Sequence, residues 1–278
     1  MHYEAGNMKR VFLIALFVVA GMWIGVYGRP MLSGMVRPEG MVLIPAGEFI
    51  MGSNEEDREG KAMEVGSRKP WYLDEHPQQK QMLSDYLIDR YEVTNVKYKR
   101  FLEKMKRRSP SGWKDGAYPP GQDVYPVVGI NWYEAQDFCR WAGKKLPTEA
   151  EWEKAARGTD GRIWPWGNEF SAEQANTGPA GIGGPRPVGS FSRDRSPYGV
   201  YDLAGNVMEW TESWYRPYPG STYKSQEFGE QYKVIRGDSW GEGGHYYLPH
   251  FSRAACRLNA PPEERYDFVG FRCAQEVK

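Results

Sequence analysis

From residue 159 to the C-terminus the chain shows little helical period. In its place stand clusters that mix glycine with aromatics: WPWGN at 164–168, GVYDLAGNVMEW at 199–210, VIRGDSW at 234–240 and VGFRCA at 269–274. Glycine reaches backbone conformations closed to other residues, and each aromatic ring buries a large area, so such clusters suit tight, ordered loops. The whole chain repeats this bias, with 32 glycines, 20 prolines, 11 tryptophans, 18 tyrosines and 11 phenylalanines in 278 residues. A helical bundle is excluded. No repeat of 20–50 residues appears, which argues against a solenoid or propeller. A hydrophobic share of 40% is enough for a sizeable core. The expectation is one loop-rich α+β domain.

Helices are confined to the first half. Thr94 is an N-cap, and Tyr98, Phe101, Leu102 and Met105 follow at the spacing of one apolar stripe. Asn131 opens NWYEAQDFCRWAG, with Glu134 placed to complete a capping box and Gly143 as the stop. Its buried stripe is expected to be Ala135, Phe138, Cys139 and Ala142. Thr148 opens TEAEWEKAARG, with Glu151 as box partner and Gly158 as the end. Upstream, MVLIPAGEFIMGS at 41–53 reads as strand, turn and strand, and YLIDRYEVT at 86–94 resumes an extended pattern. The charged residues between, 54–80, have no period and read as a long surface loop.

Residues 11–28, VFLIALFVVAGMWIGVYG, are uncharged and follow Lys9 and Arg10. A stretch of this length behind two cations is expected to anchor the chain in a membrane, with cleavage as a signal after Gly28 as the alternative. The positive-inside tendency places the remainder on the non-cytoplasmic side. The expected organisation is a membrane segment at 1–29, a linker at 30–40 and one domain at 41–278. Basic and acidic residues number 36 each, so no cationic surplus exists for nucleic acid. Three cysteines, Cys139, Cys256 and Cys273, allow one disulfide in an oxidising compartment and leave one thiol over.

Seven blocks, MVLIPAGEFIMGS, DRYEVTNVKYKRFL, PVVGINWYEAQDFCRWAGKKLPTEAEWEKAARG, WPWGN, GVYDLAGNVMEW, RGDSW and VGFRC, occur in that order. Together they resemble the formylglycine-generating enzyme family, also called the sulfatase-modifying-factor domain. The resemblance implies a loop-rich variant of the C-type lectin fold, a Cys139–Cys273 disulfide, and a calcium site. The calcium ligands carried over are the carboxylates of Asp202 and Glu209 and the carbonyls of Gly205 and Val207. These are hard oxygens, as calcium requires. The reading that needs no ion has Asp202 and Glu209 capping turns around Trp210.

Active members of the family oxidise a cysteine of a CxPxR-type motif to formylglycine with oxygen and copper(I), held by two thiolates. Soft thiolates select copper(I). Here the matching positions fall at Glu242 and Pro249, and proline has no ligand to offer. The copper pair is absent. Cys256 is then a buried small hydrophobe. Glu242, His245 and His250 form a speculative alternative, a two-histidine, one-carboxylate set of the kind that holds non-haem iron. His76 reads as structural. The expected function is a membrane-anchored extracytoplasmic family member without oxidase activity. It would serve as a binding, assembly or accessory subunit with an unidentified protein partner. A divergent copper or iron oxidoreductase is the alternative.

Overall fold

A computed structural model of the chain describes residues 38–67, 70–241 and 248–277. Among these residues, three small sheets and four α-helices carry the regular structure. Strand β1 (Met41–Ile44) pairs antiparallel with β4 (Tyr86–Asp89), and β4 with the last strand, β9 (Ala274–Glu276). Strand β2 (Gly47–Met51) pairs instead with β3 (Gln79–Leu83), so the Pro-Ala-Gly turn after β1 carries the chain from one sheet to another. The largest sheet runs in the order β7 (Leu258–Ala260), β6 (Lys233–Arg236), β5 (Met208–Trp214) and β8 (Val269–Gly270), with β5 and β8 parallel.

Helix α1 (Lys61–Glu64) is a single turn. Helices α2 (Asn95–Met105), α3 (Trp132–Trp141) and α4 (Glu149–Arg157) follow the sequence signals closely. Both capping boxes form. Asn131 accepts from the Glu134 N–H while Glu134 accepts from the Asn131 N–H, and Thr148 and Glu151 do the same. Gly158, at φ 72°, ends α4 in a conformation a side chain would resist. Two stripe positions differ from expectation. Met105 closes α2 exposed, because Lys106 turns left-handed and the helix leaves the core. Ala142 is exposed at the end of α3, and Trp132 takes the buried place at its start.

The main core packs the inner faces of α2 and α3 against β5, β8 and Phe271. Tyr98 stacks on Phe138 at 5.6 Å, and Phe138 meets Phe271 edge-on at 5.4 Å. Cys139 and Cys273 form the disulfide, joining α3 to the segment between β8 and β9 across 134 residues. Gly270 is required beside it: a Cβ there would lie 2.7 Å from the Val127 carbonyl oxygen. A second core places Trp152, Ala155 and Ala156 of α4 against β1 and β4.

The stretch 54–80 departs most from its reading as a surface loop. It holds α1, a short 3-10 turn at Leu73–Glu75 and the start of β3, and it buries Trp71, Asp74 and Glu75. Its charges mask two buried acids: Glu75 pairs with Arg253, and the Asp74 carboxylate accepts from the Tyr215 hydroxyl while its main-chain carbonyl accepts from Arg257. The expected membrane segment lies outside the described residues, as do Glu242 and His245. No helix among the described residues is long and apolar enough to cross a membrane.

Candidate metal centres

The turn entering β5 gathers the carboxylates singled out in the sequence. Asp202, in the left-handed region at φ 56°, accepts from the Gly189 N–H at 2.6 Å. Gly205 is packed so tightly that a Cβ would meet the Asn176 carbonyl oxygen at 2.5 Å. Asn206 bridges the region: its side-chain nitrogen donates to Glu92 at 3.0 Å, and its oxygen accepts from Asn176 at 3.1 Å. Val207 is buried, and Glu209 lies fully inside at the start of β5.

Glu209 is paired with an arginine. Arg272 Nε donates to both of its oxygens, at 2.9 and 2.7 Å, and Arg272 Nη2 donates to Oε1 at 2.6 Å. Trp152 Nε1 is a third donor, at 3.0 Å. Arg272 also donates to the carbonyls of Asp89, Arg90, Tyr201 and Asp202. Arg272 lies in the GFRC block.

Asp202 belongs to a separate acidic group with Glu92 and Asp194, all three buried. Burial and the charge of Asp202 raise the Glu92 carboxyl well above the usual range. Burial lifts Asp202 to about 6 against the pull of the Gly189 N–H. Burial, reinforced by Asp202, pushes Asp194 up to about 8, although Ala204 and Leu203 donate to it. No donor reaches Glu92 Oε2 or Asn176 Oδ1 among the described residues. Buried oxygens left this way carry a proton or await a cation.

The segment after Pro249 is held by buried arginines. Arg236, fully buried, pairs with Glu149 and Glu153 and donates to the carbonyls of Ala254, Ala255 and Cys256 at 2.8, 3.1 and 2.9 Å. Arg257 adds a two-bond pair with Glu149 at 2.6 and 3.0 Å. These contacts fix the backbone that carries Cys256. Pro249 is half-buried and brings no ligand. His250 stacks on Trp71 at 4.2 Å and lies with Glu75 and Cys256, one donor atom of each within 4.8 Å of the others.

Of the speculative set Glu242, His245 and His250, only His250 is among the described residues, and its described company is different. Glu75 was missed in the sequence because it sits in a run of exposed-looking charges. The available signal was the DEHP stretch itself, where apolar Trp71 and Leu73 precede two acids. Cys256 is buried among Ala62, Trp71 and Phe251, as expected of a small hydrophobe.

Residues 30–277 match the family described as the sulfatase-modifying factor enzyme 1-like domain. The inactive C-alpha-formylglycine-generating enzyme 2 of Mus musculus is 31% identical, over 88% of this chain and 88% of its own. The formylglycine-generating enzyme of Thermomonospora curvata is also 31% identical, over 89% and 97%. Among solved structures, PvdO from Pseudomonas aeruginosa superposes with a TM-score of 0.64 at 30% identity, covering 85% of this chain and 94% of that one. These two relatives, one named as the enzyme and one as an inactive form, are both 31% identical, so similarity alone does not assign activity. On the extent of these matches, the chain belongs to the sulfatase-modifying-factor, or formylglycine-generating-enzyme-like, family.

Proposed function

We propose that this chain is a family member without copper oxidase chemistry, anchored in a membrane through residues 11–28 with its domain on the non-cytoplasmic side. There it serves as a binding or assembly module for a protein partner. One observation carries the first part. The chain has three cysteines, and Cys139 and Cys273 are joined, so a single thiol remains where a copper(I) pair needs two. The anchor and its orientation rest on the apolar stretch behind Lys9 and Arg10.

The test offers the full chain a CxPxR peptide with copper(I) and oxygen, and mass spectrometry reads the aldehyde. No aldehyde above the rate of copper alone is expected. Aldehyde at catalytic turnover would sink the reading. A protein with this role should also remain with the membrane fraction after a high-salt wash, its domain open to protease only from the outer side.

Calcium fits the domain in part. Glu209 already has Arg272 and Trp152 as donors, whereas Glu92 Oε2 and the Asn176 side-chain oxygen are hard oxygens without a partner among the described residues, close to Asp202, which accepts from the Gly189 N–H. Asp202, Glu209 and the Gly205 and Val207 carbonyls are the ligand set proposed for the ion. A bound ion would supply charge compensation and rigidity there.

The pH dependence has a defined sign. Asp202 and Asp194 hold protons in the fold at pH values where the unfolded chain has lost them. Stability without calcium should therefore fall as pH rises from about 4 through about 6 and on to about 8. Calcium, which needs the ionised carboxylates, should raise the melting temperature more at pH 8 than at pH 5. Thermal melts with calcium and with chelator measure this. Equal melts at both pH values would mean that protons alone satisfy the acids.

A further inference from the structure

We propose that Glu75, His250 and Cys256 form a binding site for a divalent transition metal of the zinc class, distinct from the calcium-type oxygens beside Asn206. The three donor atoms are an oxygen, a nitrogen and a sulfur, all within 4.8 Å of one another and all buried. Zinc takes this mixed set at a fixed, small radius, whereas calcium accepts neither the thiolate nor the imidazole.

Each ligand is held by structure that does not depend on the metal. Glu75 ends a 3-10 turn whose backbone is fixed in both directions: its N–H donates to Tyr72, and its carbonyl accepts from Ser53. Cys256 is fixed by Arg236, which takes the carbonyls of residues 254–256. His250 is clamped between rings, stacked on Trp71 at 4.2 Å with the edges of Tyr72 and Phe251 at 4.7 and 5.0 Å. The wall of Ala62, Trp71 and Phe251 excludes water, which strengthens charge interactions inside.

Arg253 is the neighbour that decides the rest. Its guanidinium donates to both Glu75 oxygens, at 3.0 and 2.6 Å, and lies 3.3 Å from His250 Nδ1. Arginine has only donors, so His250 faces it as an acceptor through Nδ1, neutral and with its proton on Nε2; a metal therefore takes the Nδ1 lone pair in place of this long Arg253 contact. Its bonds to Glu75 orient the carboxylate as an outer-shell partner does in metal sites. Its charge also sets what else binds. A dication plus Arg253 carries three positive charges, and the Cys256 thiolate with the Glu75 carboxylate carries two negative. The thiol proton leaves to solvent on binding. One positive charge is left over in a buried place, so the fourth position takes an anion, a hydroxide or a carboxylate group.

The test uses the full chain, stripped with chelator and titrated with cobalt(II), which reports a thiolate ligand by its near-ultraviolet charge-transfer absorption. One cobalt per chain with that band is expected, displaced by one zinc. Cys256→Ala should remove the band, and His250→Gln should weaken binding by more than the roughly 10–100-fold that loss of an outer-shell partner costs. Near-ultraviolet circular dichroism confirms that the alanine variant keeps its packing. A second readout needs no variant: zinc should slow alkylation of Cys256 in the unaltered chain. Absence of stoichiometric cobalt, a spectrum unchanged in Cys256→Ala, or alkylation indifferent to zinc would each overturn the proposal. None of these outcomes bears on the copper peptide assay, so the two readings fail separately.

Discussion

Replacing Arg272 by methionine should destabilise the domain by about 3–5 kcal/mol, the cost of removing one partner from a buried ion pair. For a domain of this size that is a fall of roughly 10 °C in melting temperature. The cause is specific. Glu209, fully buried, would keep only the Trp152 N–H among its three donors, and four backbone carbonyls would lose their common donor. Methionine fills similar volume, so a cavity is not the main term. The partner change separates charge from packing. Arg272→Met combined with Glu209→Gln should recover part of the loss, because the amide still accepts from Trp152 and leaves no unpaired charge. Denaturant melts of the four proteins form the cycle. Additive losses would show that Arg272 acts through the carbonyls rather than through Glu209. Calcium affords a further check: it should not rescue Arg272→Met if Glu209 lies outside the calcium ligands.

Loss of the disulfide should be of similar size. Cys139 and Cys273 close a loop of 134 residues, for which the chain-entropy relation gives about 5 kcal/mol and measured removals give about 2–5. The double variant Cys139→Ala/Cys273→Ala leaves two small side chains in a fully buried place, so little strain enters. Its denaturant midpoint should fall with a small rise or no change in the transition slope. The unaltered chain under reducing conditions should move the same way. If reduction leaves the midpoint in place, the bond adds nothing that the α3 packing does not already provide. Export to an oxidising compartment, part of the proposed function, is the condition under which this bond persists.

The helical half of the fold was legible because its signals are local. Both capping boxes, the Gly158 stop and most of the buried stripes depend on residues three or four apart, and they formed as read. Met105 and Ala142 escaped because a stripe marks a face, not where the helix leaves the core. The second half gave its character without its pairing: glycine and aromatic clusters announce tight loops, but neither cluster says that β5 lies between β6 and β8.

By itself the sequence determined that one thiol at most is free for chemistry once a disulfide forms, and that α+β loops would dominate. Tertiary structure alone decided who satisfies each buried charge. Glu209 found Arg272 from 63 residues away, Glu75 found Arg253 from 178, and His250 came to lie with Cys256 and Glu75. The physical reason is range. Capping and periodicity act within one helical turn, whereas desolvated charges pair with whatever long-range packing brings within about 3 Å.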